Sequence, residues 1–346
     1  MEEAVRSVKE QPYQKIEILL VDDGSTDGSS ELCDQLSKEN EKIHVLHKEN
    51  GGVSSARNVG IKYILDRYDT GYIAFLDADD YWCANAITEQ VARQIEGEND
   101  TDIFAFGGFQ SNQKAACFSK PYEYLEARKK GGNSALWSLK GQFVANMYSI
   151  ELLRKWKINF STKLQYSEDV IFRLQCAFLS RNIHYLPRYL YCYRENHTSA
   201  MSKVLKIKAI DYYMPIINGW VESDTFLNAY IEETGETCRA GYVLAGIYFL
   251  DMAVDHYKRG GRETELVRAM TEHPDYACFI RMKREDVSPK QYKEQQLLLN
   301  KPKLFKYKYR LFGIVEWTAR WFAKTTIGSM LRNKWRYPLR EMPSNL

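Results

Sequence analysis

The acidic residues of Asp77-Ala-Asp79-Asp80 follow directly on the apolar run Tyr72-Ile-Ala-Phe-Leu76. Side chains on an extended backbone alternate with a period of two, so Asp77 and Asp79 would point the same way. Two carboxylates that converge at a strand end suit Mg²⁺ or Mn²⁺, and such a cation suits a diphosphate. The alternative is an acidic surface turn, and the spacing alone leaves both interpretations open.

A second acidic pair, Asp22-Asp23, also follows an apolar run. The first 110 residues alternate apolar runs with helical patterns, and the runs lie near 16–21, 43–47, 72–76 and 102–109. This alternation predicts an α/β fold with an open, mostly parallel sheet flanked by helices. Ligands of such sheets bind beyond the carboxyl ends of the strands, where both acidic clusters are expected.

The composition is typical of a soluble globular protein, with 45% hydrophobic and 27% charged residues in 346. The seven cysteines are scattered without a C-x-x-C pair, which favours reduced thiols over a disulfide framework or a zinc site. The N-terminus lacks the apolar core of a signal peptide, and no apolar stretch approaches the length of a membrane span. The sequence therefore predicts a cytoplasmic protein.

Five motifs, in this order and over roughly residues 5–200, resemble glycosyltransferase family two, the inverting family with the GT-A fold. They are Val21-Asp-Asp-Gly-Ser-Thr-Asp27, Asn50-Gly-Gly-Val-Ser-Ser-Ala-Arg-Asn58, Phe75-Leu-Asp-Ala-Asp-Asp-Tyr-Trp82, Ser167-Glu-Asp169 and Tyr191-Cys-Tyr-Arg194. The resemblance implies a GT-A (Rossmann-like) catalytic domain over residues 1–200. A helical acceptor-side or accessory region over 201–300 and a basic aromatic tail over 301–346 would follow it.

By this resemblance Asp77 and Asp79 hold the divalent cation, with Asp79 as the direct ligand. Asp80 belongs to the same motif or caps the following helix. Expelling a nucleoside diphosphate requires that charge developing on the leaving group be offset, which is the role of the metal.

Asp22 and Asp23 resemble the pair that contacts the uracil and ribose in relatives that use UDP-sugars. One of them could instead bond to its own backbone ahead of Gly24, and the sequence leaves open which. The resemblance places Arg57 near the nucleotide, where a guanidinium can meet phosphate; the alternative is a surface arginine.

Inverting transfer needs a base that deprotonates the acceptor hydroxyl. By resemblance Asp169 is that base, with Glu168 as an orienting group or substitute. An acidic pair that merely favours a helix N-terminus fits the local sequence equally well. Arg194 and His197 lie where relatives place cationic or metal-facing groups that contact the diphosphate.

The expected function is that of a metal-dependent hexosyltransferase. It would move sugar from a nucleotide-sugar, expected to be a UDP-sugar, to a hydroxyl of a glycan or lipid-linked acceptor in polysaccharide biosynthesis. A non-catalytic or degenerate carbohydrate-binding relative is the alternative, because the first strand usual in relatives has no counterpart and residues 1–8 form a helical pattern. A mis-assigned start of the sequence would explain the same gap. Such a gap would leave neighbouring strands with unpaired edges. A nucleotidyltransferase is disfavoured because no Gly-rich, Arg-containing loop follows the first strand.

The C-terminal segment 301–346 carries 11 Lys/Arg and 2 Asp/Glu. Its cations interleave with aromatic residues, which predicts peripheral attachment to an anionic membrane surface through residues 301–340, on the inner face of the cell membrane. A helix packed on the rest of the protein is the alternative. No recognition motif supports nucleic acid as a partner.

Overall fold

The structure is a computed structural model. It describes residues 1–98, 100–112, 115–118, 143–164, 168–194, 207–222, 240–284 and 287–324. The chain divides into two compact units. One comprises residues 1–131, 135–199 and 343–346, and the other comprises 132–134 and 200–342. The expected division into a catalytic domain, a helical region and a tail stays a prediction.

The first unit alternates strands and helices over most of its length. Its described strands are β1 (Ile18–Asp22), β2 (Ile43–His47), β3 (Tyr72–Ala74), β4 (Tyr81–Trp82), β5 (Ile103–Asn112), β6 (Ala115–Phe118), β7 (Asn146–Ser149) and β8 (Ile183–Arg194). Its described helices are α1 (Glu2–Lys9), α2 (Ser29–Glu39), α3 (Val53–Leu65), α4 (Glu89–Gly97), α5 (Ile150–Trp156) and α6 (Glu168–Leu179). The strands and helices expected over the first 110 residues are all present, with bounds shifted by a few residues.

The described strands form two sheets. β1 and β2 make a parallel pair in which Asp22 lies opposite His47. The larger sheet has the order β3-β7-β5-β8-β4, with β6 paired to β5. There β5 and β8 run parallel, and the other four pairs are antiparallel.

The expectation of a mostly parallel sheet is therefore wrong for the described strand pairs, which are mixed. The strand pattern near residues 143–148 predicts that β7 exists but not its direction. That direction depends on its insertion between β3 and β5, which are distant in sequence. In the described part of the chain, β1 pairs with β2 alone and β3 with β7 alone, so each has an edge without a strand partner.

Helix α3 packs against β1 through a glycine. A Cβ at Gly60 would lie 3.5 Å from Val21 Cγ2 and 3.7 Å from Leu19 Cδ2, which is ordinary van der Waals contact. The neighbouring Ile61 is almost wholly buried. This packing fixes the helix and therefore positions Arg57, one turn earlier on it.

An aromatic cluster forms the core beside the strand ends. The rings of Phe160 and Phe172 stack with centroids 4.0 Å apart. Phe75 meets both edge-on, at 5.4 Å and 5.6 Å. Tyr148 packs on Phe172 at 5.3 Å. Because Phe75 lies two residues before Asp77, this cluster anchors the loop that carries the acidic motif.

The described part of the second unit is helical. Its helices are α7 (Ala209–Glu222), α8 (Ala240–Lys258), α9 (Glu263–Thr271), α10 (Tyr276–Ile280), α11 (Pro289–Asn300) and α12 (Pro302–Lys324). Helix α11 starts with a capping box in which Ser288 and Gln291 bind each other's backbone amides. Within the described residues, no helix combines the length and apolarity that crossing a membrane would need.

Candidate functional site

The Arg57 guanidinium joins two of the predicted motifs. Its Nη2 donates to Asp77 Oδ1 at 2.8 Å, and its Nη1 donates to Glu168 Oε1 at 3.0 Å. The guanidinium also lies 5.2 Å from the centre of the Phe160 ring. Only 12% of the Arg57 side chain is exposed, so the alternative of a solvated surface arginine is wrong. Asp77, 20 positions from Arg57 along the chain, and Glu168, 111 positions from it, thus bind the same guanidinium.

Glu168 is a largely buried carboxyl whose charge depends on that cation. Burial raises the pKa of Glu168, the neighbouring Asp169 raises it further, and Arg57 opposes both. Asp169 is half-buried, and its Oδ1 accepts a hydrogen bond of 2.9 Å from the Val170 amide. Both acids occupy the first turn of α6, where the helix dipole favours negative charge. Glu168 is held by Arg57, whereas Asp169 uses one oxygen on a local backbone amide.

The acidic quartet folds into a turn in which its members separate. The Asp80 amide donates to the Asp77 carbonyl at 3.0 Å. The buried Asp80 carboxylate accepts from the Tyr191 hydroxyl and, at 2.7 Å, from the Arg194 amide. Burial raises the pKa of Asp80 to about 6, and the charges of Asp79 and Asp77 contribute. Asp80 therefore anchors the turn to β8.

The interpretation of Asp80 as a helix cap is wrong. Helix α4 begins at Glu89, and its cap is Thr88, whose Oγ1 accepts from the Val91 amide. Strand β4 lies between the quartet and this helix. Because the helix starts well beyond the quartet, the Asp80 carboxylate was available for a partner distant in sequence.

Replacing Tyr191 by phenylalanine is expected to destabilise the protein by about 1–3 kcal/mol, since it leaves buried Asp80 without its hydroxyl donor. The matched control is Tyr185→Phe in the same strand, because the buried Tyr185 hydroxyl has no hydrogen-bond partner among the described residues. That control should change the free energy of unfolding by no more than about 0.5 kcal/mol. Urea unfolding measures both variants, and equal losses would contradict a role for the Tyr191–Asp80 bond.

Asp22 and Asp23 bind two different turns of the chain. Asp22 accepts from the Ser25 amide at 3.0 Å, so it is the aspartate that bonds to its own turn. Asp23 accepts from the amides of Gly51 and Gly52 at 3.0 and 2.7 Å, and from Lys48 Nζ. Burial opposes ionisation of Asp23, but Lys48 and the two amides outweigh it and lower its pKa. The amides that precede α3 are therefore already bound by a carboxylate of the chain.

The turns after β1 and β2 touch through Gly24. Its φ is +73°, and a Cβ there would lie only 2.8 Å from the Asn50 nitrogen. Both the left-handed conformation and the close approach favour glycine. This contact holds Asp23 beside the segment that leads into α3.

His47 bridges two carboxylates at this rim. Its Nδ1 lies 3.0 Å from Asp22 Oδ2, and its Nε2 lies 2.9 Å from Asp34 Oδ1. These bonds to Asp22 and Asp34 raise the pKa of His47. The bonds from Ser25 and His47 hold the pKa of Asp22 well below its usual range. The sequence pattern predicts only an ordinary strand or surface residue at His47; its position opposite Asp22 in the parallel pair is the signal that could have identified it.

A histidine with a raised folded pKa stabilises the folded state fully below its unfolded pKa of about 6.5, and the contribution is lost as the pH rises through the folded value. We therefore expect His47→Gln to flatten the decline in stability of the wild-type protein from about pH 6 to pH 8. Thermal unfolding across this range measures the slope. The matched control is His44→Gln on the same strand, whose imidazole contacts Glu17. A wild-type slope that persists in His47→Gln would contradict this interpretation.

Arg194 and His197 are the remaining residues predicted to contact the diphosphate. The Arg194 guanidinium pairs with Glu3 Oε2 at 2.6 Å and lies over the Tyr81 ring, while its amide binds Asp80. An exposed pair of this kind contributes little stability. A role for Arg194 at the diphosphate stays a prediction. His197 lies outside the described residues.

Asp77 and Asp79 are the members of the quartet that could hold a divalent cation. Asp77 offers a half-exposed carboxylate with Oδ1 on Arg57, and Asp79 is exposed without a hydrogen-bond partner among the described residues. No group of three or more His, Cys, Asp or Glu that could hold a metal occurs in the described part of the chain. Two carboxylates, completed by phosphate oxygens and water, match the way Mg²⁺ is usually held.

The sequence of residues 1–146 matches the family described as "Glycosyl transferase family 2". The match covers 146 of the 346 residues, so it shows that this N-terminal part of the chain is similar to that family. Arg57 and Asp77 lie within the matched residues, whereas Glu168 and Asp169 lie beyond them.

Two curated bacterial proteins are similar in sequence. The Bacillus subtilis protein described as "Uncharacterized glycosyltransferase EpsJ" is 30% identical over 208 residues, which cover 58% of this chain and 58% of EpsJ. The glycosyltransferase GlyG of Streptococcus pneumoniae is 42% identical over 102 residues, or 29% of this chain and 32% of GlyG. The matched region therefore spans little more than half the length of EpsJ.

Two solved structures of TarS from S. aureus share the fold. The complex of residues 1–349 with UDP has a TM-score of 0.56 at 16% identity and covers 99% of this chain and 90% of that one. The complex with UDP-GlcNAc has a TM-score of 0.51 at 18% identity, with 80% and 85% covered. At these identities the likeness concerns the fold, and it confirms the expected α/β, GT-A class.

Proposed function

We propose that the chain is a metal-dependent inverting glycosyltransferase. It would transfer a hexose from a UDP-sugar to a hydroxyl of a glycan or lipid-linked acceptor in polysaccharide biosynthesis. The observation that carries the proposal is the double ion pair of Arg57 with Asp77 and Glu168. It brings the motif suited to a diphosphate-bound cation next to the acidic pair suited to deprotonating a hydroxyl.

On the donor side Asp77 and Asp79 would hold Mn²⁺ or Mg²⁺, which when bound offsets negative charge on the departing diphosphate. Arg57 fixes the orientation of the Asp77 carboxylate through Oδ1. Asp80 fixes the turn from the opposite end through Tyr191 and the Arg194 amide. These contacts fix the Asp77 carboxylate and the turn that carries Asp79 before a donor arrives, which lowers the cost of binding it.

On the acceptor side Asp169 would take the proton of the attacking hydroxyl. Glu168 is committed to Arg57, so its proposed role is to orient the first turn of α6. Asp169 stands beside it at a half-buried position in the first turn of the same helix, where its carboxylate would serve as the base.

The nucleotide would lie against the rim formed by Asp22 and Asp23. Both carboxylates are fixed by bonds to their surroundings, Asp22 through Ser25 and His47 and Asp23 through Lys48 and two amides. A uracil or ribose would therefore meet a rigid acidic edge. The UDP-GlcNAc named for one TarS structure is a donor of the kind proposed here, and the UDP named for the other is what such a donor releases.

A cytoplasmic location is part of the proposal. The described free cysteines are Cys33, Cys83, Cys176, Cys192 and Cys278, and all are buried. Unpaired thiols are usual in a reducing compartment.

The test is to screen UDP-sugars for thermal stabilisation and for UDP release, with Mn²⁺, with Mg²⁺ and with a chelator. A donor at about 100 times its Kd should stabilise the protein by about 2.7 kcal/mol, and the chelator should remove most of this. Asp79→Asn should lower metal-dependent UDP release at least about tenfold, because it removes a charged ligand. The matched control is Asp69→Asn, whose side chain is fully exposed in a loop.

Three results would contradict the proposal. They are stabilisation that is equal with and without metal, turnover unchanged in Asp79→Asn, and an equal loss in Asp69→Asn. Metal-dependent stabilisation by a nucleotide-sugar without release of UDP, with any acceptor offered, would instead favour the non-catalytic carbohydrate-binding alternative.

A further inference from the structure

Helix α12 exposes a continuous apolar stripe. Within the described residues nine large apolar side chains are exposed, and six of them lie between positions 304 and 315 of this one helix. They are Leu304, Tyr307, Leu311, Phe312, Ile314 and Val315, with exposed fractions of 49% to 68%. A patch concentrated in this way is typical of a site of interaction.

The spacing of these residues places them on one face. At 100° per residue, five of the six, all except Phe312, fall within an arc of about 100°. Phe312 lies about 60° outside that arc, on the side toward the buried Phe305. The stripe runs along more than three turns, so it is a surface rather than a single exposed side chain.

The opposite face of α12 is packed, which fixes the stripe outward. Phe305 and Tyr309 are buried there, and the Phe305 ring lies 6.1 Å from the buried Tyr257 of α8. At Gly313 an added Cβ would lie 2.1 Å from the Lys258 carbonyl oxygen, so only glycine allows this approach. The helix therefore cannot turn its apolar stripe inward without losing an established contact.

The charges around the stripe are positive. Lys301 and Lys303 are exposed where α12 begins. Lys306 and Lys308 are held by Glu263 and Glu294. No acidic residue occurs from 301 to 315, and residues 301–346 contain 11 Lys/Arg against 2 Asp/Glu. A second copy of this helix would bring like charges together, whereas an anionic surface complements them.

We propose that the exposed face of α12, defined by Leu304, Tyr307, Leu311, Ile314 and Val315, binds the interface of an anionic lipid bilayer. The helix would lie in the plane of the interface with this stripe among the headgroups and upper acyl chains. Lys301 and Lys303 would contact anionic headgroups. The proposal is independent of the catalytic residues, and it gives the enzyme a means of reaching a lipid-linked acceptor.

The test uses the full chain and flotation with vesicles of phosphatidylcholine, alone or in a roughly two-to-one mixture with phosphatidylglycerol. The intact protein should float with the mixed vesicles. Leu304→Gln/Leu311→Gln/Ile314→Gln should lower its partition coefficient at least about tenfold, because three inserted side chains are lost. The matched control is Val267→Gln/Ile280→Gln, which changes two equally exposed apolar residues on α9 and α10 of the same unit.

A second variant tests the charges separately. Lys301→Gln/Lys303→Gln should weaken binding to the mixed vesicles several-fold and leave binding to phosphatidylcholine alone unchanged, since each lysine adds attraction only at an anionic surface. Because all the substituted side chains are exposed, thermal unfolding should be close to that of the intact protein. If the triple variant unfolds, this lysine variant decides: equal flotation with and without the two lysines overturns the proposal.

Other results would also overturn it. The triple variant could float as well as the intact protein, or the control could lose binding equally. The intact protein could be a dimer in sedimentation equilibrium without lipid, become a monomer in the triple variant, and fail to float. That last outcome would assign the stripe to a second copy of the chain.

Discussion

Arg57→Ala is expected to destabilise the protein by about 3–5 kcal/mol and to reduce transfer to background. Glu168 is largely buried and its pKa is already raised by burial and by Asp169, so removing the cation leaves an uncompensated carboxyl in the interior. Asp77 would lose the contact that orients it, and Phe160 would lose the guanidinium above its ring. Urea unfolding and donor-dependent UDP release measure the two losses.

The controls separate charge from geometry and position. Arg57→Lys keeps the charge but cannot donate to both carboxylates from one planar group, so it should restore part of the stability and little of the activity. Arg67→Ala removes an exposed arginine just beyond the same helix and should cost less than about 1 kcal/mol. A loss in Arg57→Ala that is no larger than that in Arg67→Ala would show that the double ion pair contributes little.

Arg57 is a positioning residue in this mechanism. It touches the carboxylate proposed to hold the metal and the carboxyl beside the proposed base, so a shift of either would be transmitted to the other. Replacing Arg57 should therefore lower kcat and alter the dependence of kcat on the metal, whereas replacing a purely structural residue would change stability alone.

The positions of the acidic clusters could be predicted from the sequence, whereas the contacts of their carboxylates could not. The acidic clusters could be predicted because carboxylates that directly follow apolar runs lie at the carboxyl ends of strands, where α/β sheets bind ligands. The pairing of Arg57 with Glu168 could not be predicted, because it joins α3 to α6 across 111 residues. The Tyr191–Asp80 bond was missed for the same reason, since the sequence around Tyr191 indicates only strand packing.

The mixed sheet shows a related limit. Periodicity identified β7, but nothing local specifies that it runs antiparallel to both β3 and β5. In the acidic quartet, the local sequence suggested that Asp80 caps a helix. Its carboxylate instead binds the Tyr191 hydroxyl and the Arg194 amide, which are distant in sequence. Local patterns thus predicted where the acidic clusters lie, and long-range packing decided how each carboxylate is held.

Asp169→Asn is expected to lower kcat about 10²–10⁴-fold while the donor KM and the thermal stability remain close to those of the wild-type protein. An amide cannot accept the proton of the acceptor hydroxyl, whereas it keeps the shape of the side chain and can still accept from the Val170 amide. The prediction rests on the proposed function and is measured with a UDP-sugar and acceptor for which turnover has been established.

Glu168→Gln provides the comparison, because it removes the charge that pairs with Arg57 and should reduce stability as well as rate. Asp211→Asn, an exposed acid in the first turn of α7, should change neither. If Asp169→Asn retained full turnover while Glu168→Gln lost it with unchanged stability, the base would be Glu168 and the orienting role would pass to Asp169. Measuring kcat and stability separately for each variant therefore decides which of the two acids is the base. The ion pair with Arg57 makes Glu168 contribute to stability, whereas Asp169 remains available to accept the proton.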